Sequence, residues 1–367
     1  MKRLFIFIAA CSYAAAAHAG GFEQVNQSAA GAGVSNAFAA TANDASALAY
    51  NPSGIAWQPG VTVAGGIDLS FRNSSVKIPG GVASNTGTEP TFGQFYAAWV
   101  PRDGRLAAGI GFSPLYAANN NWSDAFGAAS GVGKLTVDHT TADLVYAIDS
   151  SLAVGMGGDW YITRATLSQG TKNFKGTDVA SFGGHASLLW KPLPAWSLGA
   201  VYRSGANISM TKSNDTLSFK LPDQVTVAIA HDFSDVWHME TDLKWSRWSV
   251  LKGINVTGVN AQTNTLDLRD TLTAMVGLTW TWRENTQVRI GYAYDQGANR
   301  TRNYNPLIAD QDGHRVSLGG GGDVFGLHVD LAYQYTFYAK KTATGAYAGN
   351  YRDRRQSVVF TVSNQFN

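Results

Sequence analysis

The chain has 367 residues, with 28 Lys and Arg against 26 Asp and Glu, and a formal net charge of +2. This balance gives no basic face for nucleic acid. The single cysteine, Cys11, excludes a disulfide scaffold, so stability must come from the size and architecture of the chain.

Residues 1–19 have the pattern of a secretory signal peptide. Two basic residues precede an apolar stretch, and the Ala-His-Ala at 17–19 fits the small-residue cleavage site of exported proteins. We expect the mature chain to begin at Gly20. Lipoprotein processing at Cys11 is the alternative, although its apolar core would be only about seven residues long.

The segment 20–59 shows no strand alternation and is rich in Ala, Gly, Ser and Asn. It is too polar to lie in lipid and too long for an ordinary linker. A disordered tail is one interpretation. The other is a separate small unit whose small side chains allow tight packing within a confined space.

Residues 60–367 alternate between apolar and polar positions. Val61, Val63, Ile67, Leu69 and Phe71 fall on one face, with polar residues between several of them, and no apolar run after residue 19 reaches the roughly 18 residues of a spanning helix. The repeated pattern predicts fourteen strands: 61–72, 92–101, 105–114, 136–149, 152–168, 181–191, 196–212, 218–233, 237–251, 265–282, 286–297, 312–323, 327–342 and 351–366.

Fourteen strands of this kind predict an all-β fold, an antiparallel transmembrane β-barrel. The even strand number, the charges of both signs on the polar face and the Trp and Tyr at the stripe ends are typical of outer-membrane barrels. A soluble sandwich is the alternative, but its strands usually run to about 5–6 residues. We therefore expect a protein of the outer membrane of a Gram-negative bacterium.

Five motifs occur in an order that resembles the FadL-type long-chain fatty acid transporter family. They are GGFEQVNQSAAGAG at the mature start, NPSG at 51–54, LPDQ at 221–224, LKWSRWSVLKG at 243–253 and PLIADQDGHRVSLGGG from Pro306. Each motif alone is weak evidence of membership in the family. The five together cover essentially the whole mature chain. The resemblance implies a barrel whose lumen is closed by an N-terminal hatch, here 20–59, with Phe22, Tyr50, Asn51, Pro52 and Trp57 as its anchoring residues.

The resemblance also implies a sideways exit through a gap made by a kinked third strand. The sequence from Leu106 supports this, because Gly109 and Gly111 weaken a strand and Pro114 cannot donate a ladder hydrogen bond. Pro114 could equally end the strand at the rim. We name Gly109, Gly111 and Pro114 as the candidate lateral opening.

Candidate ligand-binding residues follow. Leu115, Tyr116, Trp122 and Phe126 form an apolar stretch where an outer loop is usually polar, suited to first capture of an apolar ligand. Arg269 is expected to point inward and to contact a headgroup, and it matches a basic position of the family. A second basic position matches Arg164, which strict alternation places on the lipid face unless a bulge changes the parity.

No catalytic motif accompanies these residues. The sequence holds no G-x-S-x-G and no H-E-x-x-H, so we expect no enzyme activity, no metal and no cofactor. The predicted function is passive uptake of hydrophobic molecules, long-chain fatty acids first and aromatic hydrocarbons as the alternative, by a monomer surrounded by outer-membrane lipid and lipopolysaccharide. A lipase or esterase and an open diffusion porin are the remaining alternatives.

Overall fold

The computed structural model describes residues 22–87, 91–102, 104–122, 125–126, 131–300, 304–306 and 310–366. The expected signal peptide, 1–19, lies outside the described residues. Among those described, fourteen long antiparallel strands pair in chain order, and the first pairs with the last from Val61–Phe366 to Lys77–Asn350, which closes the sheet into a barrel. No helix of the described part is long and apolar enough to cross a membrane.

The wall strands are numbered here in chain order. They are β1 Gly60–Ile78, β2 Phe92–Val100, β3 Leu106–Asn121, β4 Gly131–Ala147, β5 Leu152–Gln169, β6 Lys172–Leu193, β7 Trp196–Arg203, β8 Gln224–Ser234, β9 Trp237–Ser246, β10 Thr271–Arg283, β11 Thr286–Asp295, β12 Gly313–Val324, β13 Leu327–Tyr338 and β14 Gly349–Phe366. All fourteen predicted strands are present in the predicted order, so the predicted barrel is confirmed.

Burial in the wall is inverted relative to a water-soluble protein. Large apolar side chains face outward and are exposed, among them Met156 and Phe182 at 68% each, whereas charged side chains such as Asp159 (1%), Glu240 (2%) and Arg315 (4%) face inward and are buried. Such a pattern places lipid around the barrel and polar groups in its lumen.

Several inward charges pair with one another, either between adjacent strands or between strands separated by one other strand. Arg289 contacts Asp330, and Arg315 lies 2.9 Å from Asp295. Pairing of this kind offsets the cost of removing charges from water. Polar side chains of β3 and β4 also meet inside the barrel, where the Ser113 hydroxyl lies 3.4 Å from Nδ1 of the His139 ring.

Some boundaries differ from the prediction. The expected strand 196–212 is two strands, because β7 ends at Arg203 and Asn207–Lys212 leaves the wall to pair with Asp215–Lys220, which also pairs with Asn255–Thr257. Pro222, which has no N–H to donate, lies in the break before β8. The remaining short elements are strands Gly81–Ser84 and Lys341–Ala343 at the rim and 3₁₀-helices Trp248–Val250 and Gly345–Tyr347.

Candidate functional site

Residues 22–59, called the hatch below, pack inside the lumen. The hatch contains helices α1, Ala29–Gly33, and α2, Ala47–Tyr50, followed by a 3₁₀-helix, Pro52–Trp57. Its backbone approaches the wall so closely that a Cβ atom on Gly319 would lie 2.7 Å from the Cα of Gly33. The hatch is therefore too close to the wall at this point for a larger side chain at position 319.

Asn51 and Pro52 form one anchor of the hatch. The Asn51 side chain is fully buried and donates to the carbonyls of Ala39, at 2.7 Å, and Leu188, at 3.0 Å, while its oxygen accepts from the Ser53 amide. Pro52 occupies the first turn of the 3₁₀-helix that Asn51 caps. Leu188 lies on β6, so this anchor joins the hatch to β6.

The other predicted hatch residues take different positions. The Tyr50 hydroxyl donates to Asn36 at 2.8 Å and accepts from the Gln27 amide. Trp57 is half-buried, and the Lys191 ammonium lies 4.4 Å from the centre of its ring. Tyr50 therefore joins parts of the hatch to one another, whereas Trp57 joins the hatch to the wall.

A second anchor involves two acidic side chains of β9. Asp242 accepts hydrogen bonds from the amides of Phe38 and Ala39, at 3.2 and 3.1 Å, and Glu240 accepts from the amides of Ala40 and Thr41, at 2.6 and 2.8 Å. The Thr41 hydroxyl also contacts Glu240. Four consecutive backbone N–H groups thus face two wall carboxylates, which we call the acidic clamp.

The strand pairing of the wall changes along β3. Its pairing with β2 runs from Trp99–Ala108 to Phe95–Phe112 and ends there, while its pairing with β4 continues to Asn121. A bulge at Leu115 separates the Pro114 and Tyr116 pairings on the β4 side. Beyond Phe112 the other edge of β3 therefore has no wall strand beside it among the described residues.

This free edge is occupied from inside the lumen by the start of the hatch. Glu23 forms an antiparallel bridge with Tyr116, the Gln24 amide donates to the Leu115 carbonyl at 2.8 Å, and the Ala117 amide donates to the Phe22 carbonyl at 2.9 Å. A glutamine side chain of the hatch, Gln27, also donates to the Pro114 carbonyl at 2.9 Å. The N-terminal segment thus satisfies backbone groups that a missing strand would otherwise satisfy.

The candidate opening is therefore narrower than predicted. Gly109 and Gly111 lie in wall that is paired on both sides, so their assignment to the opening was wrong. A Cβ atom on Gly109 would lie 2.5 Å from Leu48 of the hatch, which shows that this glycine provides room for the hatch. Pro114 does lie at the point where the pairing with β2 has ended.

An apolar cluster adjoins the free edge. Leu115, Tyr116 and Trp122 belong to it and are buried, and Phe22 of the hatch lies between Tyr116 and Trp248, with ring centres 5.7 and 4.8 Å away. The sequence predicted an exposed loop patch, but residues 115–121 continue β3 and are covered from within. Trp248, whose role could not be read from spacing, completes this group.

The outer part of the same cluster is also aromatic. Phe126 is half-buried against Trp122 and Tyr351, with ring centres 6.1 and 6.3 Å away, and the Trp122 indole donates to the Pro306 carbonyl. The outer connections therefore fold over the lumen and bury their aromatic residues. A ligand arriving from outside would meet this roof before the hatch.

Arg269 lies outside the wall strands, since β10 begins at Thr271. Its half-buried side chain donates through Nε to the Gly297 carbonyl at 3.0 Å, and its buried Nη2 has no hydrogen-bond partner among the described residues. Lys341 is near, because Arg269 is one of the charges that act on it. Burial lowers the pKa of the Lys341 ammonium, and Arg269 adds to that effect while Asp310 opposes it.

Arg164 faces away from the lumen. Its side chain is 57% exposed and lies 2.7 Å from the Asp138 carboxylate on the outer surface of the wall. The alternation of β5 is unbroken here, with Tyr161, Thr163 and Ala165 buried inside. The structure thus contradicts the expected lumenal contact between Arg164 and a ligand.

Two small cavities flank the N-terminal segment. One of about 70 Å³ is lined by Gln24, Arg72, Arg315 and Arg355, and another of about 80 Å³ by Gln24, Arg203 and Lys244. Sites for drug-sized ligands usually measure roughly 300–1,000 Å³. Neither of these two cavities could hold a long ligand unless the N-terminal segment moved.

An antiparallel barrel that faces lipid, is charged inside and is filled by its own N-terminal segment is a plugged outer-membrane barrel. The chain belongs to the family described as outer membrane protein transport protein (OMPP1/FadL/TodX), whose model matches residues 171–366. It is accordingly a protein of the outer membrane.

Relatives agree with this assignment. Outer membrane protein P1 of Haemophilus influenzae is 24% identical over 293 residues, covering 64% of each chain, so the match spans just under two thirds of that relative. The long-chain fatty acid transport protein of Escherichia coli O6:H1 is 22% identical over 308 residues, covering 75% of this chain and 68% of that one.

Solved structures share the fold. A FadL homologue of Pseudomonas aeruginosa superposes with a TM-score of 0.83 at 17% identity, covering 95% of this chain and all of that one. The toluene transporter TodX of Pseudomonas putida gives 0.71 at 17% identity, covering 91% and 98%. At 17% sequence identity, these two comparisons show a shared fold.

Proposed function

We propose that this protein is a passive outer-membrane channel for hydrophobic molecules, which enter beneath the outer roof and leave sideways beside β3. One observation carries the proposal: the edge of β3 that β2 leaves unpaired is covered by the N-terminal end of the hatch, from Phe22 to Gln24, and by no wall strand of the described residues. Withdrawal of that segment would leave a gap between lumen and lipid.

A sideways route suits an apolar ligand. Below the apolar cluster the lumen holds the acidic clamp, the interior ion pairs and the hatch, and burial of each methylene is worth about 0.8 kcal/mol. A ligand with a long chain would lose that free energy by crossing the polar lower lumen. Leaving beside Tyr116 would take it from one apolar environment to another.

The cluster of Phe22, Tyr116 and Trp248 links binding to release in this proposal. Phe22 belongs both to the cluster and to the segment that covers β3, so a ligand that displaces its ring also pulls on the bridge at Glu23. The roof residues Trp122 and Phe126 are the proposed entrance. Hatch movement and ligand binding are thereby coupled through one side chain.

A reversible cross-link tests the exit. Glu23 and Tyr116 form a non-hydrogen-bonded antiparallel pair, in which Cα atoms lie about 4.5 Å apart and a disulfide can form. We expect the double variant Glu23→Cys/Tyr116→Cys to lose uptake when oxidised and to regain it on reduction. Each single variant serves as the control, and undiminished uptake by the oxidised double variant would overturn the proposed exit.

Long-chain fatty acids are the proposed substrates, because Arg269 and Lys341 supply positive charge near the roof. A carboxylate on the free Nη2 of Arg269 would make a charge-assisted bond of about 1.5–3 kcal/mol. Arg269→Ala should therefore weaken fatty acid binding by roughly 10–100-fold. Lys252→Ala, which removes an exposed cation from the same connection, is the matched control.

Neutral aromatic hydrocarbons are the second candidate, favoured by the three rings of Phe22, Tyr116 and Trp248, which contact one another. Uptake of a long-chain fatty acid and of toluene, measured side by side in cells lacking other transporters, separates the two. Toluene uptake with no fatty acid uptake, unchanged by Arg269→Ala, would assign the aromatic class. Large steady ion currents through the intact protein would instead indicate an open porin.

A further inference from the structure

A group of basic side chains lies on the outer surface of the wall and faces away from the lumen. Lys134 of β4 and Lys175 of β6 both lie opposite Thr166 of β5, and Arg164 is the next outward residue of β5. All three basic residues are exposed. Adjacent strands are about 4.8 Å apart, so the three cations occupy one small area of the surface.

Charge is not balanced in this area. Asp138, paired with Arg164, is the only acidic residue among the outward-facing described residues of 132–138, 162–168 and 173–179. Three cations against one carboxylate leave a net charge of +2. This basic group is therefore complementary to an anion that approaches the barrel from the side.

The height of the group in the wall is defined by the apolar residues below it. On β5 the outward positions from Leu152 to Ile162 are apolar or glycine, and Arg164 follows immediately. Ten residues at 3.3 Å each, tilted by about 40°, rise about 25 Å, which matches the apolar band of such barrels. Arg164 thus lies at headgroup level, at the end opposite the short turn 149–151.

Exposed apolar side chains lie directly beneath the cations. Phe182 is 68% exposed, Val179 55% and Trp160 40%, and the Trp160 indole donates to the Val179 carbonyl at 2.7 Å, which fixes its ring. The surface therefore combines cations above with an apolar platform below. Its occupant should carry phosphate groups and several acyl chains in the same molecule.

We propose that Lys134, Arg164 and Lys175 bind the phosphate groups of lipopolysaccharide in the outer leaflet, with its acyl chains against Trp160 and Phe182. Arg164 supplies a planar donor for phosphate oxygens, and the two lysines supply point charges on either side. The ion pair with Asp138 keeps the guanidinium at the surface.

The test is binding of bisphosphorylated lipid A to the full-length protein in detergent, followed by native mass spectrometry. At about fivefold for each cation, Lys134→Gln/Arg164→Gln/Lys175→Gln should weaken binding about 100-fold. The matched control, Arg102→Gln/Arg105→Gln/Arg283→Gln, removes the same charge at the opposite rim and should bind as the wild type does. Lys134→Arg/Lys175→Arg keeps the charge and should also bind normally.

Lipid A stripped of its phosphates separates charge from acyl contact. Equal binding of stripped and phosphorylated lipid would overturn the proposal, as would equal losses in the triple variant and its matched control. Unchanged binding by the triple variant would overturn it as well. Heat-modifiable mobility on gels checks that every variant forms the barrel.

Discussion

The acidic clamp should determine how firmly the hatch is seated. Replacing Asp242 with Ala removes the acceptor of two backbone hydrogen bonds, from Phe38 and Ala39. Replacing Glu240 removes the acceptor of three more, from the Ala40 and Thr41 amides and the Thr41 hydroxyl. The perturbation leaves the sequence of the hatch itself unchanged.

The magnitude follows from the number of bonds. At about 1 kcal/mol for each bond, once water replaces the lost acceptor, Asp242→Ala should weaken seating by about 2 kcal/mol. The fraction of molecules with an unseated hatch should then rise about 30-fold. The double variant with Glu240→Ala loses five bonds, about 5 kcal/mol, and should be unseated more than about 1,000 times as often as the wild type.

Single-channel recording in a planar bilayer measures this directly, because an unseated hatch opens the lumen to ions. Open time should increase in the order wild type, Asp242→Ala, double variant. Asp295→Ala is the control, since that carboxylate pairs with Arg315 of the wall. The reasoning is refuted if the double variant is as closed as the wild type, or if Asp295→Ala opens the barrel equally.

Three further predictions concern the hatch and β3. Deleting the bulged Leu115 should straighten β3 and reduce uptake to background while heat-modifiable mobility persists; retained uptake would exclude the bulge as the cause of the gap. Asn51→Asp turns two donors into an acceptor facing two carbonyls and should weaken hatch docking by about 3 kcal/mol, seen as faster proteolysis within 22–59. Gly109→Ala should lower the free energy of unfolding by about 1–3 kcal/mol, because its methyl group would meet Leu48, and Leu48→Ala should restore part of that loss in thermal unfolding. Purely additive losses in the double variant would contradict the contact.

The wall could be predicted from the sequence because its period is local. In β9, for example, Glu240 and Asp242 alternate with Met239 and Leu243, so the two acids share the polar face, and in the structure both are buried inside the barrel. What two inward acids two residues apart would bind could not be predicted, because their partners are backbone amides about 200 residues earlier. A side-chain pattern carries no information on backbone partners.

Predictions failed where a residue's partner is set by tertiary structure. Arg269 was placed on a strand by extending the alternation of β10 backwards, but the wall begins only at Thr271. Tyr116 was assigned to an exposed loop, since nothing local shows that a bulge carries β3 past Pro114 or that Phe22 covers it. By contrast, the outward position of Arg164 could be predicted from the alternation alone, because the alternation of β5 is unbroken at this point.

The anchors of the hatch also set an order of events during assembly. The Ala29 amide donates to the hydroxyl of Thr361, 332 residues later in the chain. Elsewhere in the hatch, the Ala39 amide donates to Asp242 of β9 and the Gly33 carbonyl accepts from the Ser317 hydroxyl of β12. Contacts of such long range form late, because the intervening chain must first be placed. The last strand therefore closes the barrel and completes the contacts of the hatch in one step, and a chain interrupted before β14 would leave β1 and β13 with unpaired edges and the Ala29 amide without its acceptor.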